Sequence, residues 1–534
     1  MGPVGGSFSG IIRLVATFEW IILLLFGAAL LAALARKLGA PYPTFLAIGG
    51  VLLAFIPESP NWTLDPHLAL TLFVAPVLVD AAYDTSLRDL KLNWRPVTGL
   101  VIAAVGTTVL AVSFVARWLF PEMPWPVAIA LGAIVAPPDA AAATAVMRQV
   151  KLPYRLLKIL EGESLFNDAS ALLVYRLAIM TMLAGHLGFG SYAPVFLLTV
   201  FGSLAAGIAC AYAMRPLVSR LHDVPISLII QFATTFGVWI AAEAIGLSGI
   251  LTLVTFAMTM ARQGGQQMSA RMRIPVFAVW EAVVFVLNAF AFVLIGMQLR
   301  PIWARLEASG SRSDAVIAAV VVLGVTIAAR FAWVMAYNTL TRWRIKHDDV
   351  ASRPTVGGGI VISWAGMRGI VTLAAAFAIP ETLPNGTPFP YRDLILLCAF
   401  TVVFGTLVLQ GLTIGPLIRR LGLRDDDPVG RETRLGRAQI YEALLLAIKD
   451  DETLAANLLR KEYAAIVELN TSSEQATTTV TDVPGGSLRR QAIAVARQRA
   501  FELRQDDSIG DDAYRILVQE LDWAEMSAGG GEPG

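Results

Sequence analysis

Long apolar runs recur along most of this chain and limit the folds it can adopt. Runs of roughly 17 to 25 apolar residues are long enough for a helix to cross about 30 Å of hydrocarbon. Inside a bilayer each backbone polar group must be satisfied within the segment, which favours helices. The sequence therefore predicts an all-α polytopic membrane protein of about thirteen transmembrane helices, at 15–35, 42–57, 66–83, 96–118, 125–148, 157–183, 192–214, 224–244, 247–262, 275–298, 315–338, 355–380 and 393–418.

The count has one ambiguity, because the eighth and ninth runs are nearly continuous across Gly246 and twelve helices remain an alternative. The first run is too long for a removable signal peptide, so we expect a first transmembrane helix. Composition agrees with the membrane class, at 56% hydrophobic and 16% charged residues with a mean hydropathy of +0.63. The net charge of +1 gives no indication of a nucleic-acid partner. Cys210 and Cys398 lie in apolar runs, and neither a disulfide framework nor a zinc motif is visible.

Basic residues between the runs predict the orientation. Most of them follow odd-numbered runs, whereas the loops after the second, fourth, sixth and eighth runs contain no Lys or Arg. Because positively charged loops stay in the cytoplasm, we expect the N-terminus outside and the C-terminus inside a cell membrane. Merging the eighth and ninth runs would put the basic tail on the wrong side, which favours thirteen. The loop after the tenth run, with Arg300, Arg305 and Arg312, is an exception.

The composition changes after Leu421 to charged, helix-forming sequence. Apolar residues recur at helical spacing in 434–450 and 488–503, which a Ser/Thr-rich linker at 470–487 separates. We therefore predict two domains, a transmembrane domain at 1–420 and a small helical cytoplasmic tail at 421–534. A helical cap or dimer contact, or a sensing or partner-binding role, would suit the tail.

The sixth run contains an unusual cluster of polar residues, EGESLFND at 161–168. Charged groups at bilayer depth cost several kcal/mol unless they have a function. At 100° per residue, Glu161, Ser164 and Asp168 share one face of the helix, and Glu163 lies about 140° away from Asp168. Two faces suggest two roles.

The fifth and twelfth runs carry interruptions. Pro137 and Pro138 stand directly before Asp139 in the middle of the fifth run, and they should unwind the helix there. The twelfth run has Gly366 and Gly369 around a buried cation, Arg368. If runs one to six and eight to thirteen are two inverted six-helix repeats, these are the fifth helices of the two halves. Interrupted helices at matching positions predict a transporter with its site near the midplane.

These segments resemble one family, the bacterial sodium/proton exchanger branch of the monovalent cation:proton antiporters. EGESLFND, APPDAAAA at 136–143 and SWAGMRGIVTLA at 363–374 match it in order and spacing, and so do AEAIGLSGIL at 242–251 and FVLNAFAFVLIGMQL at 285–299. The resemblance implies a homodimer, with a dimerisation domain and a mobile core that holds two crossed, discontinuous helices. It also implies that the partners are a monovalent cation, a proton and membrane lipid.

The resemblance assigns the ion site residue by residue. Asp168 is similar to the carboxylate that binds either a cation or a proton. Asp139, the hydroxyl of Ser164 and Asp80 of the third run would lie around the ion, and oxygen ligands suit a small alkali cation. Pro138 replaces a Thr of the family's pattern, so a backbone carbonyl can remain while a hydroxyl is lost, and Ala140 replaces a Pro.

Other polar residues receive structural assignments. Glu163 resembles the family's partner for the arginine of the twelfth helix, here Arg368, and we expect this buried pair to hold the core together. Asn167 stands where electrogenic relatives have a second Asp, so it can hydrogen-bond unwound backbone but cannot carry a proton. Glu161 is a candidate for the inner funnel or a solvated helix end. Arg330 lies within a span, and we expect it to satisfy backbone carbonyls or carboxylates.

We therefore predict a secondary antiporter, not an enzyme, that exchanges a monovalent cation for a proton and uses no cofactor. The transported cation is Na⁺ in this interpretation, with Li⁺ or K⁺ as alternatives, and the exchange is electroneutral. A potassium-selective antiporter and a passive cation channel are the competing hypotheses. An intramembrane aspartyl protease would need a Gly-x-Gly-Asp motif in a later helix, and the transmembrane runs contain none.

Overall fold

A computed structural model of the chain describes residues 5–57, 59, 66–139, 152–184, 189–218, 220–221, 223–264, 270–309, 312–344, 355–423, 428–471, 486–505, 517–518 and 520–525. The chain divides into two compact units, Met1–Arg424 and Asp425–Gly534.

The first unit is a helical assembly. Its helices are α1 (Gly5–Lys37), α2 (Tyr42–Ala54), α3 (Pro66–Ala69), α4 (Ala75–Asp84), α5 (Leu87–Leu92), α6 (Trp94–Thr98), α7 (Val105–Leu119), α8 (Trp125–Val135), α9 (Tyr154–Ala184), α10 (Phe189–Val218), α11 (Val224–Ala244), α12 (Gly249–Gly264), α13 (Ala270–Met297), α14 (Leu299–Ser309), α15 (Arg312–Arg344), α16 (Val356–Trp364), α17 (Ile370–Phe377) and α18 (Arg392–Leu421). The π-helical segments Leu70–Val74 and Gly99–Ala104 join α3 to α4 and α6 to α7. The sequence had not predicted these segments or the short helix α14.

The helices agree with the predicted runs. Among the described residues, nine helices are long and apolar enough to cross a membrane, and α2, α8 and α12 are shorter apolar helices. The eighth and ninth runs form separate helices, α11 and α12, because the chain turns at Gly246, whose φ of 78° is favourable only for glycine. The second half of the fifth run, 140–148, lies outside the described residues. The number of helices that cross the membrane stays a prediction.

Contacts between the helix ends separate the loops into two groups. Tyr154 Oη donates to Asp89 Oδ2 at 2.7 Å, which joins the loops after the fifth and third runs. Arg300 Nη1 donates to Ser59 Oγ at 3.4 Å, which joins those after the tenth and second. Each contact therefore joins two loops of the same parity, one pair odd-numbered and the other even-numbered. This agrees with the predicted topology.

The helices of the described part of the second unit include α19 (Pro428–Ala447), α20 (Leu454–Thr471) and α21 (Gly486–Gln505). The two predicted stretches coincide largely with α19 and α21, and α20 is an additional helix. The Tyr441 and Tyr463 rings meet edge to face across α19 and α20, with centroids 5.2 Å apart. Hydrogen bonds from Thr453 hold the pKa of Asp451 below its ordinary value in the turn between them. Most of the predicted linker lies outside the described residues.

Candidate functional site

The first interruption follows α8. The helix ends at Val135, and Ala136 to Asp139 are not helical. Pro137 and Pro138 cause this break, since neither has an N–H to donate and each disfavours helical geometry in the residue before it. The prediction of an unwound segment at Asp139 is confirmed.

The second interruption separates α16 from α17. Ala365 C-caps α16, and α17 begins at Ile370 after Gly369, whose backbone is extended. The glycines allow close packing here, because a Cβ on Gly366 would meet the Arg330 side chain and one on Gly369 would overlap the Asp139 carboxylate. No larger residue would leave the Asp139 carboxylate in its place.

The two interruptions lie against each other. The backbone N–H of Asp139 donates to the Met367 carbonyl at 2.6 Å, so the unwound segments satisfy each other's backbone groups. Unwound backbone at membrane depth persists only when it is buried in protein or lines a cavity. The contact explains how both breaks are tolerated.

Arg368 stabilises the end of α8. Its side chain is fully buried and donates to the carbonyls of Val135, at 3.0 Å, and Ala136, at 3.3 Å, and also to that of Gly366. These carbonyls include the last groups of a helix, which have no partner within it and carry the negative end of its dipole. Arg368 therefore acts as a cationic cap on a half-helix.

Glu163 pairs with a different arginine from the one predicted. We expected Arg368, whereas the Glu163 carboxylate accepts two hydrogen bonds from the guanidinium of Arg330 on α15, one of them at 2.8 Å. Arg330 also donates to the Ile362 carbonyl at the end of α16, at 3.0 and 3.2 Å. The physical reason is that Arg368 is taken up by the carbonyls of α8, which leaves Arg330 to neutralise Glu163. The expectation that Arg330 binds carbonyls or carboxylates is confirmed on both counts.

Asn167 ties α9 to the first interruption. Its Nδ2 donates to the Pro138 carbonyl at 2.8 Å, and the residue is fully buried. This is the interaction with unwound backbone that the sequence predicted for a neutral amide at this position.

Asp168 lies one residue further along the same helix and is 7% exposed. Its carboxylate is close enough to that of Asp139 for the two to interact electrostatically. In the part of the chain that the structure describes, no group donates a hydrogen bond to Asp168. Asp139 is partly buried, so two neighbouring carboxylates, of which Asp168 is buried and without a donor, form a place where a cation or proton is strongly favoured.

The remaining predicted site residues surround this region less directly. Ser164 is partly buried one turn before Asp168 on α9. Asp80 is partly buried on α4, and its neighbours Val79 and Ala82 belong to the same apolar cluster as Leu165 and Ala169 of α9. Their roles as ion ligands stay predictions.

Glu161 is bound within its own helix. Lys158 Nζ lies 2.7 Å from Glu161 Oε2, and the Glu161 side chain is 25% exposed. This ion pair suits a solvated helix end, and the funnel role stays a prediction.

One residue that contacts the site, Thr406, was not predicted from the sequence. Thr406 of α18 accepts the backbone N–H of Arg368 at 3.0 Å and donates to the Val402 carbonyl at 2.8 Å. A hydroxyl in an apolar run was the only available signal, and many such residues merely bond to their own helix.

A family model and sequence relatives both identify the same family. The family model described as "Sodium/hydrogen exchanger, transmembrane" matches residues 21–420. An uncharacterized Na⁺/H⁺ exchanger of Mycobacterium tuberculosis is 31% identical over 503 residues, which cover 91% of each chain. The "Sodium, potassium, lithium and rubidium/H(+) antiporter" of Bacillus subtilis is also 31% identical, over 77% of this chain and 62% of its own length.

The fold resembles that of a solved structure. The sodium proton antiporter MjNhaP1 from Methanocaldococcus jannaschii aligns with a TM-score of 0.60, over 76% of this chain and 99% of its own. At 17% sequence identity, this likeness speaks for the fold alone.

Proposed function

The chain belongs to the sodium/hydrogen exchanger family, and on that premise we propose that it exchanges Na⁺ for H⁺ at one buried carboxylate, Asp168. Monovalent cation/proton antiport is the activity of this transporter family. The identity of the ion, the residues that hold it and the stoichiometry are the substance of the proposal.

The observation that carries the proposal is the state of Asp168. The carboxylate is buried next to Asp139 and has no hydrogen-bond donor in the described part of the chain. A cation or a proton would each relieve the cost of this arrangement, and each would exclude the other. Loading one therefore expels the other.

The surrounding groups support a site for a small alkali cation. Asp139 supplies a second carboxylate, and Ser164, Asp80 and the Pro138 carbonyl are oxygen ligands of the kind such cations prefer. Movement of the core would carry the neutralised site across, because a doubly anionic site is costly to move through a low-dielectric barrier. No cofactor enters this cycle.

The proposal of electroneutral exchange rests on Asn167, the residue before Asp168. Asn167 is neutral and already donates to the Pro138 carbonyl, so it adds no titratable group to the site. One cation would therefore exchange for the one proton of Asp168.

The broader assembly is part of the same proposal. We place the protein in the cell membrane as a homodimer, with the N-terminus outside and the C-terminus in the cytoplasm. The basic residues after odd-numbered runs support this orientation.

Potassium transport is a second candidate. The Bacillus subtilis relative bears a name that includes potassium, lithium and rubidium. Pro138 also removes a hydroxyl from the expected ion site, which alters the set of ligands.

Proton flux in proteoliposomes tests function and ion together. The purified chain is reconstituted with a pH-sensitive dye inside, and Na⁺, Li⁺, K⁺ and Rb⁺ are added in turn. We expect Na⁺ to drive the largest proton movement at the lowest concentration. A larger response to K⁺ would support the second candidate, and cation uptake without proton movement would contradict antiport.

A further inference from the structure

A cavity of about 600 Å³ lies on the side where loops after even-numbered runs meet. Such a volume is within the roughly 300–1,000 Å³ of small-molecule sites. Its charged residues are Arg305, Glu381, Arg392 and Asp393, and its apolar wall includes Phe120 and Leu306. None of these residues belongs to the ion site.

The position of the cavity relative to the membrane follows from the helices that end at it. The apolar span that includes α7 ends at Leu119, and the span of α18 begins at Arg392. The cavity therefore lies where hydrocarbon gives way to the headgroup layer. Tyr391, with a φ of 58° that is unusual for a bulky residue, places its ring centroid 5.7 Å from that of Phe120.

The arginines of the cavity point to an anion. Arg305 and Arg392 are close enough for their positive charges to repel each other. Arg392 donates to the Ile379 carbonyl at 3.0 Å and lies 3.8 Å from Glu381. Among the described residues, no group accepts a hydrogen bond from Arg305. Two guanidinium groups that face one cavity suit a phosphate, which arginine binds through two parallel hydrogen bonds.

The carboxylates add a second requirement. Glu381 and Asp393 also line the cavity, and both would repel a simple anion. A ligand that carries an ammonium group beside its phosphate would satisfy both pairs of charges. The apolar wall and the depth at the membrane boundary favour a ligand that is attached to acyl chains.

We propose that this cavity binds the headgroup of a phosphatidylethanolamine lipid. The phosphate would lie against Arg305 and Arg392, and the ammonium against Glu381 and Asp393. The proposal also accounts for an anomaly of the sequence, since Arg305 is one of three arginines in a loop predicted to lie outside, where basic residues are unusual.

Native mass spectrometry of the purified, delipidated full chain tests the proposal. The protein is titrated with phosphatidylethanolamine, phosphatidylcholine and phosphatidylglycerol of identical acyl chains. We expect the first to bind best, because phosphatidylcholine has no N–H to donate and phosphatidylglycerol has no cation. Arg305→Gln should fold, since Arg305 has no protein hydrogen bond to lose, and should bind phosphatidylethanolamine roughly tenfold more weakly.

Arg312→Gln is the matched control, because Arg312 is in the same segment and does not line the cavity. It should bind as the wild type does. Glu381→Gln should weaken the binding of phosphatidylethanolamine, which loses a partner for its ammonium, and strengthen that of phosphatidylglycerol, which loses a repelling charge. Equal binding of the three lipids, or an Arg305→Gln variant that binds like the control, would overturn the proposal. Equally tight binding of water-soluble glycerophosphoethanolamine would overturn the assignment to a lipid.

Discussion

A carboxylate buried in a membrane helix is tolerated when it is protonated, paired or bound to a cation. Asp168 is 7% exposed and lies next to Asp139 instead of a cationic partner. Glu163, five residues earlier on the same helix, is neutralised by Arg330. Two acidic residues of one helix therefore have opposite environments, and only that of Asp168 leaves a charge for a transported ion to balance.

The first prediction concerns Asp168 itself. Asp168→Asn should abolish exchange and leave the fold intact, because an amide keeps the volume but cannot exchange a proton for a cation. The measurement is Na⁺-driven proton flux in proteoliposomes, with size-exclusion chromatography to check the fold. Asp223→Asn is the control, since Asp223 caps α11 by accepting the Ile226 N–H through an oxygen that Asn retains. Normal flux through the Asp168 variant would contradict the assignment.

The second prediction concerns the corrected ion pair. Removing either Glu163 or Arg330 should destabilise the protein by roughly 3–5 kcal/mol, because an unpaired charge stays buried. Glu163→Gln combined with Arg330→Met should recover part of this loss. Glu163→Gln combined with Arg368→Met should recover none, since Arg368 binds the carbonyls of α8.

Thermal unfolding in detergent distinguishes these double variants. If the double variant with Arg368→Met recovers as much stability as the one with Arg330→Met, Arg330 is not the specific partner of Glu163.

The sequence predicted which residues form the ion site and its surroundings better than it predicted which side chains they contact. Helix periodicity separates Glu163 from Asp168, and a neutral amide at Asn167 predicts a bond to unwound backbone. Periodicity cannot tell whether Arg330 of α15 or Arg368 of the second interruption reaches Glu163, because that depends on how these segments pack against α9. Thr406 escaped for the same reason.

Among the helices, local chemistry determined what could be predicted. Pro137 and Pro138 unwind their helix wherever it packs, so the break at Asp139 is visible in the sequence. The π-helical segments and α14 were missed, since no residue type specifies a π-helix and α14 is short and amphipathic. The turn at Gly246 was ambiguous because a glycine can also lie within a helix.

The third prediction concerns the contact between the two interruptions. Gly369→Ala should reduce exchange at least tenfold, because the added Cβ would overlap the Asp139 carboxylate and displace it. Gly324→Ala on α15 is the control, since its Cβ would meet no atom within 4 Å. Initial rates of proton flux compare the variants at equal protein content, and equal rates would show that Asp139 need not lie where it does.

For the whole molecule, two contacts each join loops of the same parity, and the basic residues predict that the loops after odd-numbered runs face the cytoplasm. The fourth prediction is that a fluorescent protein fused after Gly534 fluoresces in the cytoplasm. Alkaline phosphatase at the same site should be inactive, since it requires export. Active alkaline phosphatase together with a dark fluorescent protein would contradict the proposed orientation.

The fifth prediction is that the complete cycle moves no net charge. If the cycle moved one net charge, its free energy would change by about 2.3 kcal/mol per 100 mV of membrane potential, whereas one-for-one exchange should not depend on the potential. Vesicles held at different potentials by K⁺ and valinomycin, with Na⁺ as the transported ion, provide the measurement. A steep dependence on potential would direct attention to Glu161 as a second proton carrier.

The central claim is that a cation and a proton compete for Asp168. Adding Na⁺ to the purified protein in weakly buffered detergent solution tests it, with proton release followed by a pH indicator and Na⁺ binding by calorimetry. The account predicts one proton released for each Na⁺ bound, and neither signal from Asp168→Asn. Na⁺ binding without proton release, or unchanged release from the variant, would contradict it.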